Sequence, residues 1–148
     1  MKPVIVRPGE GQNFGDGLHC RITSASTGGA YCALEVVLAT GQGVPLHVHS
    51  REDEVYYILE GQFEMECGER SFTVEAGAMV VFPRGIPHAF RNPADTPSKA
   101  LTMFIPGGFD EFVAELNQLP PEDASDQRKR DVIRAKHGVK FLRPGAAE

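Results

Sequence analysis

Up to about Ile105, β-branched and aromatic residues come in short runs broken by Gly, Pro, Asn or Asp. Glu54–Glu60 (EVYYILE), Phe63–Cys67, Ser71–Glu75, Met79–Phe82, Ala89–Arg91 and Lys99–Ile105 each read as a strand bounded by turn residues. A longer run, Ala30–Ala39, lies between Gly28-Gly29 and Gly41-Gln42-Gly43, and a β-branched triplet, Val4–Val6, opens the chain. No helical period intervenes, so the pattern predicts an all-β antiparallel sandwich or barrel. The period changes after Pro106-Gly107-Gly108, where Phe109, Phe112, Val113, Leu116 and Leu119 recur at helical spacing. A second helix is expected beyond Pro120-Pro121, ending at Gly138, with Val132, Ile133 and Ala135 among its apolar positions. This helical pair is expected to cover one edge or end of the barrel.

The length of 148 residues suits one domain with a sizeable core. We expect one unit over 1–148, a barrel at about 4–105 and a helical extension at about 108–138. Hydrophobic residues at 41%, with 16 glycines and 11 prolines, fit a globular chain rich in turns. A net charge of −5 leaves no electrostatic footprint for nucleic acid. The one basic cluster, Arg128, Lys129 and Arg130, is flanked by Asp126 and Asp131 and reads as a solvated helix face. Cys20, Cys32 and Cys67 are odd in number and far apart, which argues for reduced core thiols over disulfides or a cysteine zinc site. The opening MKPVIVRPGE has no apolar signal region and no stretch reaches membrane-helix length, so the expectation is a soluble cytoplasmic protein with no membrane partner.

The stretch PLHVHSREDEVYYILEG carries the chemistry. His47 and His49 are two residues apart, and on an extended strand both imidazoles project to one face, an arrangement suited to one metal ion. A carboxylate follows in Glu54, with Asp53 as its rival. Imidazole and carboxylate together accept several divalent metals, and such sites with open positions are known to activate oxygen. A second stretch, GAMVVFPRGIPHAFRN, places His88 after a Pro83/Gly85 turn.

The two stretches resemble the paired motifs of the cupins. The first, G-x5-H-x-H-x4-E-x6-G, is met by Gly41, His47, His49, Glu54 and Gly61, and the second, G-x5-P-x-G-x2-H-x3-N, by Gly77, Pro83, Gly85, His88 and Asn92. The resemblance covers about Val4 to Ile105. It implies a double-stranded β-helix, a jelly-roll barrel, and one divalent transition metal ion (Fe, Ni, Mn, Co, Cu or Zn) held by His47, His49, Glu54 and His88. The spacing to Gly61 selects Glu54 over Asp53 and leaves Arg51, Glu52 and Asp53 as loop charges, while the motif glycines shape turns. Within the family, TGGAYCALEVVL, the two histidine stretches, IPGGFDEFVAEL and AKHGVKFL resemble small bacterial quercetin 2,3-dioxygenase-like proteins. That likeness implies a catalytic role for Glu54 as acceptor of a substrate hydroxyl proton. It also implies a homodimer that exchanges N-terminal strands, for which Val4–Val6 is the candidate.

Strand alternation sends Tyr56 and Ile58 inward with Glu54, and Phe90 inward with His88, as walls of a substrate pocket. Tyr56 reads as a core aromatic. Phe63, Met65, Met103 and Phe104 are further candidates whose facing alternation alone does not fix. No phosphate-binding loop, serine elbow or Cys/His nucleophile pair is present. Three readings follow for a small-molecule ligand: a metal-dependent dioxygenase for an aromatic, enol or flavonol-type compound, a non-redox metal isomerase, or a binding or sensing module without turnover.

Overall fold

The computed structural model describes residues 2–142. Its elements in chain order are β1 Gln12–Gly15, β2 Leu18–Ile22, β3 Cys32–Leu38, β4 Gly43–His49, β5 Asp53–Glu60, β6 Gln62–Cys67, β7 Arg70–Glu75, β8 Met79–Phe82, β9 His88–Arg91, β10 Ser98–Ile105, α1 Phe109–Asn117, α2 Gln127–Lys136 and β11 Val139–Phe141. They form two antiparallel sheets, ordered β1-β2-β3-β10-β5-β8 and β11-β4-β9-β6-β7. The expected all-β jelly-roll barrel with two C-terminal helices is what the chain builds.

Alternation sets the core. Glu54, Tyr56 and Ile58 of β5 are buried while Tyr57 and Leu59 are exposed, and on β10 Ser98, Ala100, Thr102 and Phe104 turn inward. The inward apolar residues make one cluster around Tyr56, Ile58, Phe63, Phe82 and Phe90 and a smaller one of Cys20, Cys32, Leu34 and Phe104. Of the four residues whose facing was open, Phe63, Met65 and Phe104 are inward, and Met103 lies on the outer face. The thiols are free, with Cys20 and Cys32 buried.

The motif residues outside the cluster shape the backbone. Gly41, Gly61, Gly77 and Gly85 all have φ between 73° and 94°, a region open to glycine without strain. Asn92 is fully buried and donates to the carbonyls of Leu38 and Thr96. The turn before β9 is tied to both neighbouring strands: the Gly85 amide donates to the His49 carbonyl at 2.7 Å and the Arg84 amide to Asp53 Oδ1 at 2.9 Å.

Three expectations need correction. Val4–Val6 forms no strand; the segment has no ladder to join within one chain, and Val4 and Ile5 are 46% and 68% exposed. The second helix lies beyond Pro120-Pro121 as expected, from Gln127, where the Asp126 side chain accepts from the Arg128 and Lys129 amides and so caps it. Val132 and Ala135 of that helix face solvent. The barrel does not end near Ile105, because β11 returns after the helices to pair with β4, placing Val139 opposite His49 and Phe141 opposite His47. No helix among the described residues is long and apolar enough to cross a membrane.

Candidate metal centre

Three strands bring the four side chains together. His47 and His49 come from β4, Glu54 from the start of β5 and His88 from the start of β9. All four are buried, and one donor atom from each lies within 4.8 Å of the others. His88 Nε2 is 2.9 Å and His49 Nε2 3.8 Å from Glu54 Oε2.

Each imidazole is held from behind by its other nitrogen. His47 Nδ1 donates to the Pro45 carbonyl at 2.8 Å, His88 Nδ1 to the Ile86 carbonyl at 3.2 Å, and His49 Nδ1 to Glu52 Oε1 at 3.1 Å. A carbonyl or carboxylate oxygen only accepts, so the Nδ1 position carries a proton, and in a neutral ring the Nε2 lone pair then points inward; at His88 the 2.9 Å contact of Nε2 with Glu54 Oε2 is a hydrogen bond donated to the carboxylate, whose proton a bound metal would displace. Three imidazoles and a carboxylate then face one point, a set complementary to a cation. The residues fit a single metal ion, and the donor set leaves coordination positions for a ligand.

Aromatic rings fix the imidazoles further. Phe82 stacks on His88 with centroids 4.3 Å apart, Phe141 stacks on His47 at 5.2 Å, and Phe104 and Phe109 lie within 6 Å of His49. Burial, together with the neighbouring His88 and His49, pulls the His47 pKa down to about 3. Burial alone would raise Glu54, but the hydrogen bond from His88 and the three imidazoles outweigh it and hold the carboxyl at about 2. A neutral imidazole and an ionised carboxylate are the states that bind metals. Tyr56 donates to Glu54 Oε1 at 2.7 Å, and burial followed by the Glu54 charge raises its phenol well above 10, so it remains a neutral donor.

The cluster opens into a cavity of about 1210 Å³ whose lining includes His47, His49, Glu54, Tyr56, Phe90 and, from α1, Phe109, Phe112 and Leu116. Met65 and Phe104 line it as well. Ile58 does not; it is fully buried in the core beside Tyr56. Asp53 stays outside, paired with Arg84 at 3.2 Å. Two readings of surface charges change. Glu52 is 5% exposed and bonded to His49 rather than solvated, because the turn at Ser50-Arg51 folds its carboxylate back under the ring three residues earlier. Arg130, expected on a solvated face, lines the cavity. Phe141 was also missed as part of the site; the signal available was the alternation in Val139-Lys140-Phe141.

Residues 34–104 match the family model of the cupin domain. An uncharacterized protein, MJ1618, of Methanocaldococcus jannaschii is 33% identical over 72 residues, which is 49% of this chain and 58% of that protein. Quercetin 2,3-dioxygenase of Bacillus subtilis is 28% identical over 92 residues, 60% of this chain but 27% of the enzyme. The chain therefore matches little more than half of the first relative and about a quarter of the second. Among solved structures, KdgF from Halomonas sp. superposes with a TM-score of 0.63 over 74% of this chain and 99% of that one, at 19% identity, a likeness of fold. With both motifs in place on a double-stranded β-helix, the chain belongs to the cupin superfamily.

Proposed function

We propose that the protein is a metal-dependent cupin enzyme, a dioxygenase acting on an aromatic, enol or flavonol-type small molecule. The observation that carries the reading is the convergence of three imidazoles and the Glu54 carboxylate at the floor of an aromatic-lined cavity. The partial likeness to quercetin 2,3-dioxygenase supports the choice of reaction. A bound divalent transition metal would supply polarisation of a substrate oxygen and activation of dioxygen. In this reading Glu54 accepts the substrate hydroxyl proton, while Tyr56 holds its second oxygen and fixes the carboxylate plane. The rings of Phe90, Phe104 and Phe109 bind the flat body of the substrate and exclude water from the floor.

The reading includes a reducing, cytoplasmic compartment, consistent with three free thiols, and a homodimer. The outer face of the six-stranded sheet supports the latter. Across β10, β5 and β8 the register sets Leu101, Tyr57 and Met79 in one row and Met103, Val55 and Val81 in the next. Met79 and Val81, on the edge strand, are 68% and 55% exposed, an apolar patch of the kind that a second copy covers.

Elemental analysis of the purified protein and of its His49→Ala variant tests the metal centre. About one ion per chain, lost in the variant, is expected, followed by dioxygen uptake with a flavonol. Full occupancy in the variant would refute the ligand set. Metal without dioxygen uptake would move the assignment to non-redox isomerisation, and ligand-induced stabilisation without turnover to a binding module.

A further inference from the structure

α2 turns two of its apolar residues to solvent and basic side chains to the barrel, with Ile133 its one half-buried apolar position. Val132 is 71% exposed, whereas the stripe turned towards the barrel carries Arg130, Arg134 and His137 at i, i+4 and i+7. Inward cations are costly unless each is matched. Arg134 is matched: it bonds Asp131 at 2.8 Å and Gln127 at 3.1 Å, and its guanidinium lies 4.3 Å above the Phe141 ring. His137 is matched too, with Nε2 2.8 Å from Glu115 and its ring against Phe112.

Arg130 differs. The difference is that among the described residues it makes no ion pair; one terminal nitrogen donates to the Ala124 carbonyl at 3.0 Å, and its Nε is buried. Its side chain lines the same cavity as His47 and Glu54. The stack of Arg134 on Phe141 and of Phe141 on His47 joins α2 to the histidine strand, so the cationic wall and the cluster flank one space. The only other guanidinium in the lining besides Arg134, that of Arg91, is taken up by Glu64 at 3.0 Å.

We propose that Arg130 is the anion-recognising end of the cavity. The ligand is an amphiphilic carboxylate: an apolar, aromatic body along the phenylalanine wall, an oxygen function at the His/Glu cluster and a carboxylate against the Arg130 guanidinium. A guanidinium with unused donors in a largely apolar cavity recognises a carboxylate by charge-assisted hydrogen bonds, which a neutral ester of the same shape cannot accept with comparable strength. The inference rests on the cavity being the substrate site and adds to it the charge of the substrate.

The test is the binding of 6-hydroxy-2-naphthoate and its methyl ester, in which the hydroxyl and the carboxyl stand at opposite ends of the ring system. The chain contains no tryptophan, so naphthalene fluorescence reports binding against a low background. Wild-type protein is expected to bind the acid roughly tenfold more tightly than the ester, with zinc or without it, in line with one charge-assisted contact. Arg130→Gln is expected to remove that preference while leaving ester affinity unchanged, and Arg130→Lys to restore part of it. Equal affinity for the two compounds in the wild type, or an undiminished preference in Arg130→Gln, overturns the anion site. Zinc dependence of ester binding reads the metal centre separately: if the ester ignores zinc while the acid preference persists, the metal reading of the cavity fails and the anion site stands. No binding of either compound overturns both.

Discussion

Glu52 Oε1 lies 3.1 Å from His49 Nδ1, and both side chains are almost wholly buried. The carboxylate fixes the ring orientation and sets the proton on Nδ1, leaving Nε2 as the ligating atom. Glu52→Gln keeps the shape but loses the charge. Its expected effect is a 10- to 100-fold weaker metal affinity, measured by chelator competition, with near-native unfolding of the metal-free protein. Unchanged affinity would reduce Glu52 to a packing role.

Tyr56 bears on the same carboxylate from the other side. Removing its hydroxyl in Tyr56→Phe leaves Glu54 Oε1, buried within the cluster, without its 2.7 Å donor. A loss of about 1–3 kcal/mol of stability is expected for an acceptor left unmatched, read from urea unfolding. The lost hydrogen bond had favoured the ionised form, so the Glu54 pKa rises and the acid limb of any activity profile moves to higher pH. A profile that does not move would separate Glu54 from the proton transfer.

The two partners of the cluster differ in how far the sequence announces them. His47, His49, Glu54 and His88 stand at fixed spacings that a metal imposes, and alternation along β5 was enough to send Tyr56 inward with Glu54. Glu52 is one acid in Arg51-Glu52-Asp53-Glu54, and only the fold of the turn sends Asp53 to Arg84 and Glu52 beneath His49. Phe141 reaches His47 through a pairing between strands some ninety residues apart, which no local pattern encodes. Arg130 is harder still, because its helix turns basic side chains to the barrel, where the usual rule has the apolar side face the core.

The apolar rows on the outer sheet predict association. Wild-type protein is expected to sediment at about twice the 16.1 kDa chain mass, and Val81→Lys combined with Tyr57→Glu to sediment as a monomer, since both positions carry exposed side chains of the patch. Charges desolvated in such an interface are costly. Both substitutions lie on the face turned away from the cavity, so metal content should not change. A wild-type monomer would refute association through this patch.

Acid should loosen the metal-free protein, and the sign follows from two groups. His47 has a folded pKa of about 3 against an ordinary 6.5, and Glu54 about 2 against 4.5. Both folded values are depressed, so between each pair of values the unfolded chain binds more protons than the folded one, and stability rises with pH. The His47 contribution is complete above pH 6.5 and is lost as pH falls towards 3; that of Glu54 is complete above 4.5 and is lost towards 2. Each fully engaged group gives a slope of up to about 1.4 kcal/mol per pH unit. Urea midpoints measured between pH 7 and 4 should fall as the solution is acidified, and His47→Gln should flatten the part between 6.5 and 4.5, where Glu54 does not yet contribute. Proton competition for the same lone pairs makes metal release follow the same direction. A wild-type midpoint independent of pH over that range would mean that His47 is free to protonate in the folded protein, and that its Nε2 is open to water rather than enclosed by the cluster.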